Sequence, residues 1–337
     1  MAASKDEEKS GLRVLIVRGS FASLGGAERE LLQLIRATSQ RWEVSLASLD
    51  FTEDAKALLD DASLRLLLPE KPIQWPNGAV AEVMAKASTS AEKMWRNVEI
   101  PWDEFDAVHI SVCRGSLEIL PLIPAHLPVH YHCLEPPRWL YEDVLHRHID
   151  GTPKRPLWLT KMLFTRQRKR DRDYVKKLIQ RPKASISGNS MWIQKRLNTV
   201  YGIPSDSTKE NGQPPRRDAH GCPIEATHVM HVIDWNLWPE KSTKEEKKSL
   251  KGIENIPEQY VVTVGRISHV KGTWDTLQSL VKTQLALVQV GGGDDADKAA
   301  LLTEGKRIGV EVVCMPRLTQ IQLCALIRGA RAMVSHA

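Results

Sequence analysis

Two cations that could bind a phosphate lie five residues apart in the second half of the chain. Arg266 ends the stretch YVVTVGR (260–266), which is typical of a buried strand, and Lys271 follows in the next loop. In an open parallel sheet, ligands bind in the loops beyond the carboxyl ends of the strands. A guanidinium offers a fork of donors to phosphate oxygens and an ammonium offers a point charge. The pair could balance a diphosphate, and two solvated loop cations would give the same pattern.

Glycines follow several predicted strands and could bring backbone close to an anion. Gly25 and Gly26 lie between the apolar run LRVLIVRGS and a helix pattern, and Gly291 and Gly292 follow the run LALVQV. Free N–H groups and the dipole at a helix N-terminus attract anions. These glycines predict phosphate or sugar contacts, with a tight turn between strand and helix as the alternative. The spacing of Gly25 and Gly26 does not fit the G-x-G-x-x-G pattern of dinucleotide sites.

The elements that must position these residues alternate between strand and helix patterns. This alternation predicts parallel βαβ units and an α/β fold with two Rossmann-like, doubly wound domains. The second domain is expected to be incomplete, since it has four strand patterns where about five or six are usual. The predicted strands cover residues 12–20, 42–50, 63–69, 105–112, 127–133, 184–190, 227–235, 260–266, 285–293, 310–315 and 331–337.

Changes in composition predict where the domains begin and end. A polar tail without the apolar core of a secretory signal opens the chain, and a charged connector separates the two halves. The predicted division is a tail at 1–11, a first domain at 12–238, a linker at 239–256 and a partial second domain at 257–337. A single helix is predicted over 79–95.

The overall composition is that of an ordinary globular protein. Of the 337 residues, 42% are hydrophobic and 26% are charged. No apolar run approaches the ~18 residues of a membrane span. The five cysteines are scattered without a C-x-x-C pair, which favours a reducing compartment and argues against a zinc site or a disulfide framework. The predicted location is the cytoplasm, with peripheral attachment to a cytosolic membrane face as an addition to it.

The prediction of peripheral membrane attachment comes from one basic segment, residues 161–183. It holds ten Lys or Arg residues against two Asp, so the rest of the chain is slightly acidic although the net charge is +6. Its apolar residues have the spacing of a basic amphipathic helix, which predicts contact with anionic lipid; a solvated helix is the alternative. These apolar residues are Met162, Leu163, Phe164, Tyr174, Val175, Leu178 and Ile179. No recognition module supports nucleic-acid binding.

An ordered set of short motifs resembles the retaining glycosyltransferases of family 4, which have the two-domain GT-B fold. The motif YHCLEPPRWLYED (131–143) is similar to the mannosyltransferase-like branch of that family. The resemblance covers about residues 12–337. The ordered motifs are GGAER (25–29), GNS (188–190), VIDW (232–235), VVTVGRISHVKG (261–272) and LVQVGGG (287–293).

The resemblance implies transfer of a hexosyl group from a nucleotide sugar, with mannose from GDP-mannose as the first expectation. The acceptor would be a glycan or a lipid-linked sugar, the anomeric configuration would be retained, and neither a cofactor nor a metal is implied. The implied donor-binding residues are Gly25, Gly26, Gly265, Arg266, Lys271, Gly291, Gly292, Pro316 and Leu318. Among them Arg266 and Lys271 would hold the diphosphate, and backbone from Pro316 to Leu318 would approach the base.

The acceptor side is implied by fewer residues. His132, just before the PPRW stretch, would lie near the reacting sugar and is the implied catalytic residue. His130 is an alternative for the same role, and a structural histidine in a strand is a third interpretation. Arg138 and Asn189, within the matched motifs, are the implied acceptor-side residues.

One departure from the family bears on activity. The family has two glutamates seven residues apart just after SHA-like residues, and this sequence ends at Ala337 before both. Loss of one transition-state contact can cost ~10²–10³ in rate. The alternative hypothesis is therefore a catalytically incompetent fragment or pseudo-enzyme that binds nucleotide sugars weakly at most. An epimerase or a phosphorylase of the same fold is a third hypothesis.

Overall fold

The structure is a computed structural model, in which the chain divides into two compact units. The first unit contains residues 1–141 and 161–233, and the second contains 142–160 and 234–337. The described residues are 11–22, 25–59, 64–231, 238, 241–250, 253, 255–316 and 318–335. The VIDW motif and most of the predicted tail lie outside the described residues.

The first unit is built on seven parallel strands in the order β3-β2-β1-β4-β5-β6-β7. The order turns back on itself at β1 and β4, so the sheet is doubly wound, as the alternation of patterns predicts. The strands are β1 (Arg13–Arg18), β2 (Glu43–Ser48), β3 (Arg65–Leu67), β4 (Ala107–Ser111), β5 (Val129–Cys133), β6 (Ala184–Gly188) and β7 (Thr227–His228).

The second unit has four parallel strands in the order β10-β9-β8-β11. These strands are β8 (Tyr260–Val264), β9 (Ala286–Val290), β10 (Val312–Met315) and β11 (Ala332–Met333). The pattern predicts the last strand over 331–337, and within the described part of it only two residues pair with β8. The expectation of an α/β fold with two parallel sheets is confirmed.

Helices connect the strands in both units. In chain order they are α1 (Gly26–Thr38), α2 (Glu53–Leu59), α3 (Ala79–Val83), α4 (Lys86–Trp95), α5 (Arg138–Tyr141), α6 (Leu157–Leu163), α7 (Thr165–Ile179), α8 (Met191–Tyr201), α9 (Lys244–Leu250), α10 (Thr273–Ser279), α11 (Asp295–Ile308) and α12 (Gln320–Gly329). Among the described helices, none combines the length and apolar character needed to cross a membrane.

The strand β1 shows why an unbroken apolar run predicts a central strand. Successive side chains point to opposite faces of a sheet. Leu15 and Val17 are buried in the core on one face, and Val14 and Ile16 are buried on the other, against α1. A strand covered on both faces must be apolar throughout. The carboxyl end of β1 is thereby held rigidly beside the start of α1.

The segment predicted as one helix over 79–95 forms two helices instead. Ala85 between them has a φ of +51°, in the left-handed region, so the helix cannot continue through it. Ala85 is almost fully buried. The apolar periodicity on both sides gives no sign of the break, because each helix keeps its own buried face.

The expectation that the apolar residues of 161–183 face lipid is wrong. Most of them are buried in the core of the first unit, Val175 at 1% exposed and Leu178 at 0%. Full burial of such a side chain stabilises the fold by about 1.5–3 kcal/mol relative to exposure to water, and a side chain packed in this core is not available to a bilayer. The outer surface of α7 is basic, with Arg166 and Lys169 exposed.

Residues 142–160 pack in the second unit, although the predicted first domain includes them. Ile149 is 1% exposed in the core of the second unit, together with Val261 and Leu287. Its backbone N–H donates to Asp297 Oδ1 at 3.1 Å. A buried apolar side chain and a satisfied buried backbone group hold this excursion of the chain in place.

Candidate functional site

The first unit fixes the start of α1 through a buried ion pair. Arg18, at the end of β1 and 2% exposed, donates to the Glu28 carboxylate. Its Nη1 also donates to Ser111 Oγ at 3.1 Å and to the Val112 carbonyl at 3.0 Å. Strand β1, strand β4 and helix α1 are thus tied together at the carboxyl edge of the sheet.

The same carboxylate occupies one backbone group of the GGAER motif. Glu28 Oε2 accepts the Gly25 N–H at 2.7 Å. The Gly25 N–H is therefore already bonded at the N-cap of α1, and a bound phosphate would meet the Glu28 carboxylate there. This contact favours the tight-turn interpretation for Gly25. Gly26 lies one residue further on, at the wall of a cleft.

That cleft is an open cavity of about 720 Å³ within the first unit. It lies at the carboxyl ends of β5 and β6, where ligands bind in open α/β sheets. Asn189 and Glu30 contribute polar groups to it and Trp192 contributes an exposed indole. The lining residues are Gly26, Ala27, Arg29, Glu30, Gln33, Leu134, Glu135, Asn189, Ser190, Trp192, Ile193 and His231.

The GNS motif supplies one wall of the cleft. Ser190 caps helix α8 by accepting the Ile193 N–H at 3.2 Å. Asn189, beside it, has its side-chain nitrogen 3.0 Å from His231 Nε2. The predicted acceptor-side residue Asn189 therefore faces the cleft with its amide already oriented.

A second polar contact connects this wall of the cleft to helix α1. His231 Nδ1 lies 2.6 Å from Glu30 Oε1. Burial by itself would raise the pKa of Glu30, but the neighbouring rings of His132 and His231 outweigh it, so the pKa is lowered. Glu30 is therefore a carboxylate at neutral pH, and it places a fixed negative charge in the cleft.

His132 lies directly behind Glu30 at the end of β5. Its Nε2 is 3.8 Å from Glu30 Oε1, and its Nδ1 is 2.9 Å from Ser187 Oγ on β6. Ser187 Oγ is also 2.8 Å from His130 Nε2. His132 thus lies behind a residue that lines the cleft, whereas both ring nitrogens of His130 are engaged inside the sheet. Of the two predicted positions, His132 is the one next to the cleft.

Arg138 lies near the cleft through an acidic neighbour. Its Nε is 3.6 Å from Glu135 Oε2, and Glu135 is one of the cleft residues. Arg138 begins the short helix α5, just after the Pro-Pro pair. The guanidinium is partly exposed and its charge is balanced by Glu135.

In the second unit the loops after β8 and β9 meet at two glycines. Gly291 has a φ of +122°, and a Cβ built on it would lie 2.4 Å from the Gly265 carbonyl oxygen. The Lys271 side chain runs along Gly265, with its Cε 3.8 Å from the position of a Gly265 Cβ. Gly265, Lys271 and Gly291 are therefore brought together at the carboxyl edge of this sheet.

The predicted phosphate ligands in this loop are exposed cations. Arg266 and Lys271 both lie on the surface of the second unit. Among the residues that the structure describes, no carboxylate pairs with either side chain. Their charges are therefore available to an anion from solution.

The glycine loop after β9 is less favourable for an anion than its composition suggests. It leads into α11, whose cap and first turn carry Asp294, Asp295 and Asp297. Carboxylates at a helix N-terminus satisfy its dipole and repel a second anion. Close backbone packing accounts for Gly291, and nothing lies within 4 Å of a Cβ on Gly292.

Two variants in this loop separate these interpretations. Gly291→Ala is expected to destabilise the second unit by about 1–3 kcal/mol, because its φ suits glycine and the new methyl group would meet backbone. Gly292→Ala, the matched control, should change the free energy of unfolding by less than about 0.5 kcal/mol. Urea unfolding measures both. Equal stability of the two variants would show that Gly291 is not required by packing.

The predicted base-binding segment follows β10. The Gly291 N–H donates to the Met315 carbonyl at 3.1 Å, so Pro316 comes next to the glycine loop. The Leu318 side chain packs against the core of the second unit. This leaves the backbone near Leu318, and not its side chain, to face a ligand.

Several site residues were not predicted from the sequence. Glu30 and Ser187 lie beside His132, and His231 completes the cleft. The sequence contains an indication of part of this cluster, because His130 and His132 are two positions apart and therefore share one face of β5. In the structure, β6 pairs with β5 so that Ser187 lies directly opposite His132. Within the described residues, no group of His, Cys, Asp and Glu is arranged to hold a metal.

No family model and no curated protein matches the chain. Solved structures do match it. Alr3699/HepE from Anabaena, in complex with UDP and glucose, is 16% identical with a TM-score of 0.58, covering 96% of this chain and 73% of that one. A glycosyltransferase from Rickettsia africae is 10% identical with a TM-score of 0.56 and the same coverage. UDP-N-acetylglucosamine 2-epimerase from Rickettsia bellii is 13% identical with a TM-score of 0.50, covering 96% and 74%.

Identities this low show a shared fold. The seven-stranded and four-stranded parallel sheets correspond to the two Rossmann-like domains of these proteins. The chain therefore has an α/β fold of the GT-B type.

Proposed function

We propose that this protein transfers a hexosyl group from a nucleotide sugar to an acceptor. The observation that carries the proposal is the pair of exposed cations, Arg266 and Lys271, beside the Gly265–Gly291 contact at the carboxyl edge of a parallel sheet. A diphosphate needs charge compensation of this kind as it departs. The fold agrees with the proposal, because one protein that shares it was solved with UDP and glucose.

In the proposed reaction the two cations stabilise the departing diphosphate. Electrostatic groups aimed at developing charge act most strongly in the transition state, and one such group is worth about 10²–10³ in rate. Retention of configuration and mannose from GDP-mannose are the finer parts of the proposal; retention comes from the resemblance of the ordered motifs, and mannose comes from the PPRW motif. UDP-glucose is the second donor to test.

The cleft of the first unit is the proposed acceptor site. Its asparagine amide, its carboxylate and its exposed indole are the kinds of group that bind a sugar. Polar side chains can hydrogen-bond hydroxyl groups, and Trp192, 64% exposed, offers a flat apolar face. A glycan or a lipid-linked sugar fits this mixture.

Product analysis tests the proposal. The protein is incubated with GDP-mannose, UDP-glucose or UDP-N-acetylglucosamine, with and without a mixture of glycan and lipid-linked acceptors. Acceptor-dependent release of GDP or UDP with a glycosylated product supports it. An epimerised nucleotide sugar would indicate the epimerase hypothesis, a phosphate-dependent sugar phosphate would indicate a phosphorylase, and binding without turnover would indicate the pseudo-enzyme.

The basic surface of α7 is proposed to contact anionic lipid by charge, in place of the expected apolar face. Arg166 Nη1 lies 3.2 Å from Met84 Sδ, which joins this surface to the exposed apolar side chains of α3 and of the residue that follows it. Met84 is 49% exposed and Val80 is 70% exposed. Basic residues with apolar neighbours suit the interface of an anionic bilayer.

Vesicle binding tests this surface. Arg166→Ala combined with Lys169→Ala should weaken binding to phosphatidylserine vesicles by about 30-fold, because each cation near such a surface contributes about 1 kcal/mol. Removing two exposed cations of α11, Lys298 and Lys306, is the matched control. Equal losses in both double variants, or equal binding to phosphatidylcholine vesicles, would contradict the proposal.

A further inference from the structure

A chain of hydrogen bonds crosses three strands of the first sheet and ends at the cleft. His109 Nδ1 is 3.0 Å from His130 Nδ1, and His130 Nε2 is 2.8 Å from Ser187 Oγ. Ser187 Oγ is 2.9 Å from His132 Nδ1. Every link joins two groups that can each donate or accept, so the position of one proton decides all the others.

The rings inside the sheet are neutral. Burial, together with the neighbouring histidines, lowers the pKa of His109 well below its ordinary value, and burial together with His132 lowers the pKa of His130 to about 3. At neutral pH each of these rings therefore carries a single N–H. Of the two facing Nδ1 atoms, one must donate and the other must accept.

The far end of the chain decides which one donates. His109 Nε2 is buried and has no hydrogen-bond partner among the described residues. If His130 donated, His109 would carry its proton on Nε2 and bury an N–H without an acceptor. In either order Nε2 lacks a partner, and a buried donor or acceptor left unsatisfied costs about 1–3 kcal/mol; among backbone groups, however, orphaned N–H groups are rarer than under-satisfied acceptors, which favours the lone pair on Nε2. The His109 proton therefore lies on Nδ1 and is donated to His130.

The remaining protons follow in order. His130 accepts on Nδ1, so its own proton is on Nε2 and is donated to Ser187 Oγ. The single hydroxyl proton of Ser187 is then donated to His132 Nδ1. Because His132 accepts on Nδ1 in this order, its own proton is on Nε2, the atom that faces Glu30.

The other end of the chain agrees with this order. Glu30 is a carboxylate, and its Oε1 lies 3.8 Å from His132 Nε2. The reverse order would turn a nitrogen lone pair toward that negative charge, whereas the order derived above turns an N–H toward it. The distance is longer than a normal hydrogen bond, so the N–H keeps its capacity to donate to a ligand oxygen.

We propose that Ser187, His130 and His109 are positioning residues that hold His132 as the Nε2–H tautomer, so that it directs a hydrogen-bond donor toward Glu30 at the wall of the cleft and does not act as a base there. The tautomer itself is independent of the proposed function. Only the identity of the ligand, a sugar oxygen in the cleft, rests on that function.

The tautomer is measured directly by long-range ¹H–¹⁵N correlation spectra of the ¹⁵N-histidine-labelled protein at neutral pH. The signal of His132 among the eleven histidines is assigned by its loss in His132→Gln. The expected result is a protonated Nε2 and an unprotonated Nδ1. A wild-type His132 protonated on Nδ1 would overturn the proposal, whatever the outcome of any activity assay.

Two matched pairs test the positioning residues. Ser187→Thr keeps the hydroxyl group and should keep the single tautomer, whereas Ser187→Ala should give a mixture. His109→Asn keeps a donor in place of Nδ1–H and should preserve the pattern, whereas His109→Leu should lose it. Circular dichroism confirms that each variant is folded. An unchanged His132 spectrum in folded Ser187→Ala would show that Ser187 does not set the tautomer and would overturn this part of the proposal.

Discussion

Replacing Lys271 with alanine is expected to weaken the binding of a nucleotide sugar by about 10–100-fold. A hydrogen bond to a charged group contributes about 1.5–3 kcal/mol, and each 1.4 kcal/mol is a factor of ten in affinity. Arg266→Ala should have an effect of the same size. Both side chains are exposed in a loop, so the free energy of unfolding should change by less than about 0.5 kcal/mol. Titration calorimetry with UDP-glucose and GDP-mannose measures the change in affinity.

A matched control removes an equal charge from the same unit. Lys306 is exposed on α11, and Lys306→Ala should leave the affinity unchanged. If Lys271→Ala unfolds the protein, the lysine is structural and its proposed role is wrong. If all three variants bind the donor equally well, the diphosphate is held elsewhere.

Glu28→Ala is expected to destabilise the protein by about 3–5 kcal/mol. Its partner Arg18 is 2% exposed, and removing one member of a buried ion pair leaves an uncompensated charge. The start of α1 also loses the acceptor of the Gly25 N–H. Chemical denaturation measures the change. The loss is large compared with the 5–15 kcal/mol by which domains are usually stable.

The exposed pair Glu53–Lys56, one helical turn apart on α2, is the control for this prediction. Glu53→Ala should cost less than about 0.5 kcal/mol, because solvated pairs contribute little. Glu28→Gln keeps the shape of the side chain and a hydrogen-bond acceptor, so its loss in the free energy of unfolding should fall between those of Glu28→Ala and Glu53→Ala. A Glu28→Ala variant as stable as Glu53→Ala would show that the Arg18 charge is satisfied in another way.

The strands could be predicted from the sequence because the sheets impose a simple pattern. A strand buried on both faces is predominantly apolar, and β1, β8 and β9 have such runs. The single polar residues inside β8 and β9, Thr263 and Gln289, hydrogen-bond to each other. Glycines then mark where the strands end. The α/β class and two parallel sheets follow from the alternation of these runs with helix patterns.

The boundaries and surfaces could not be predicted in the same way. The amphipathic pattern of α7 is the same whether its apolar face meets a core or a lipid bilayer. The packing of 142–160 in the second unit depends on contacts between residues far apart in sequence, such as Ile149 with Asp297. Such contacts produce no local periodicity of apolar residues from which they could be predicted.

The candidate site was predictable only where a motif marked it. His132 and Asn189 stood in recognisable motifs and lie at the cleft or directly behind it. Glu30 and His231 are 201 positions apart and meet through folding alone. Gly19 was missed as well, and a Cβ there would lie 2.1 Å from the Arg114 carbonyl oxygen, so the end of β1 requires glycine.

The most direct test of the central claim is a comparison of nucleotide binding by equilibrium dialysis. The claim is that two loop cations of the second unit bind a diphosphate. UDP and GDP should therefore bind at least about tenfold more tightly than UMP and GMP, with the difference lost in a variant that combines Arg266→Ala with Lys271→Ala. Equal affinity for monophosphates and diphosphates, or an unchanged preference in the double variant, would contradict the claim.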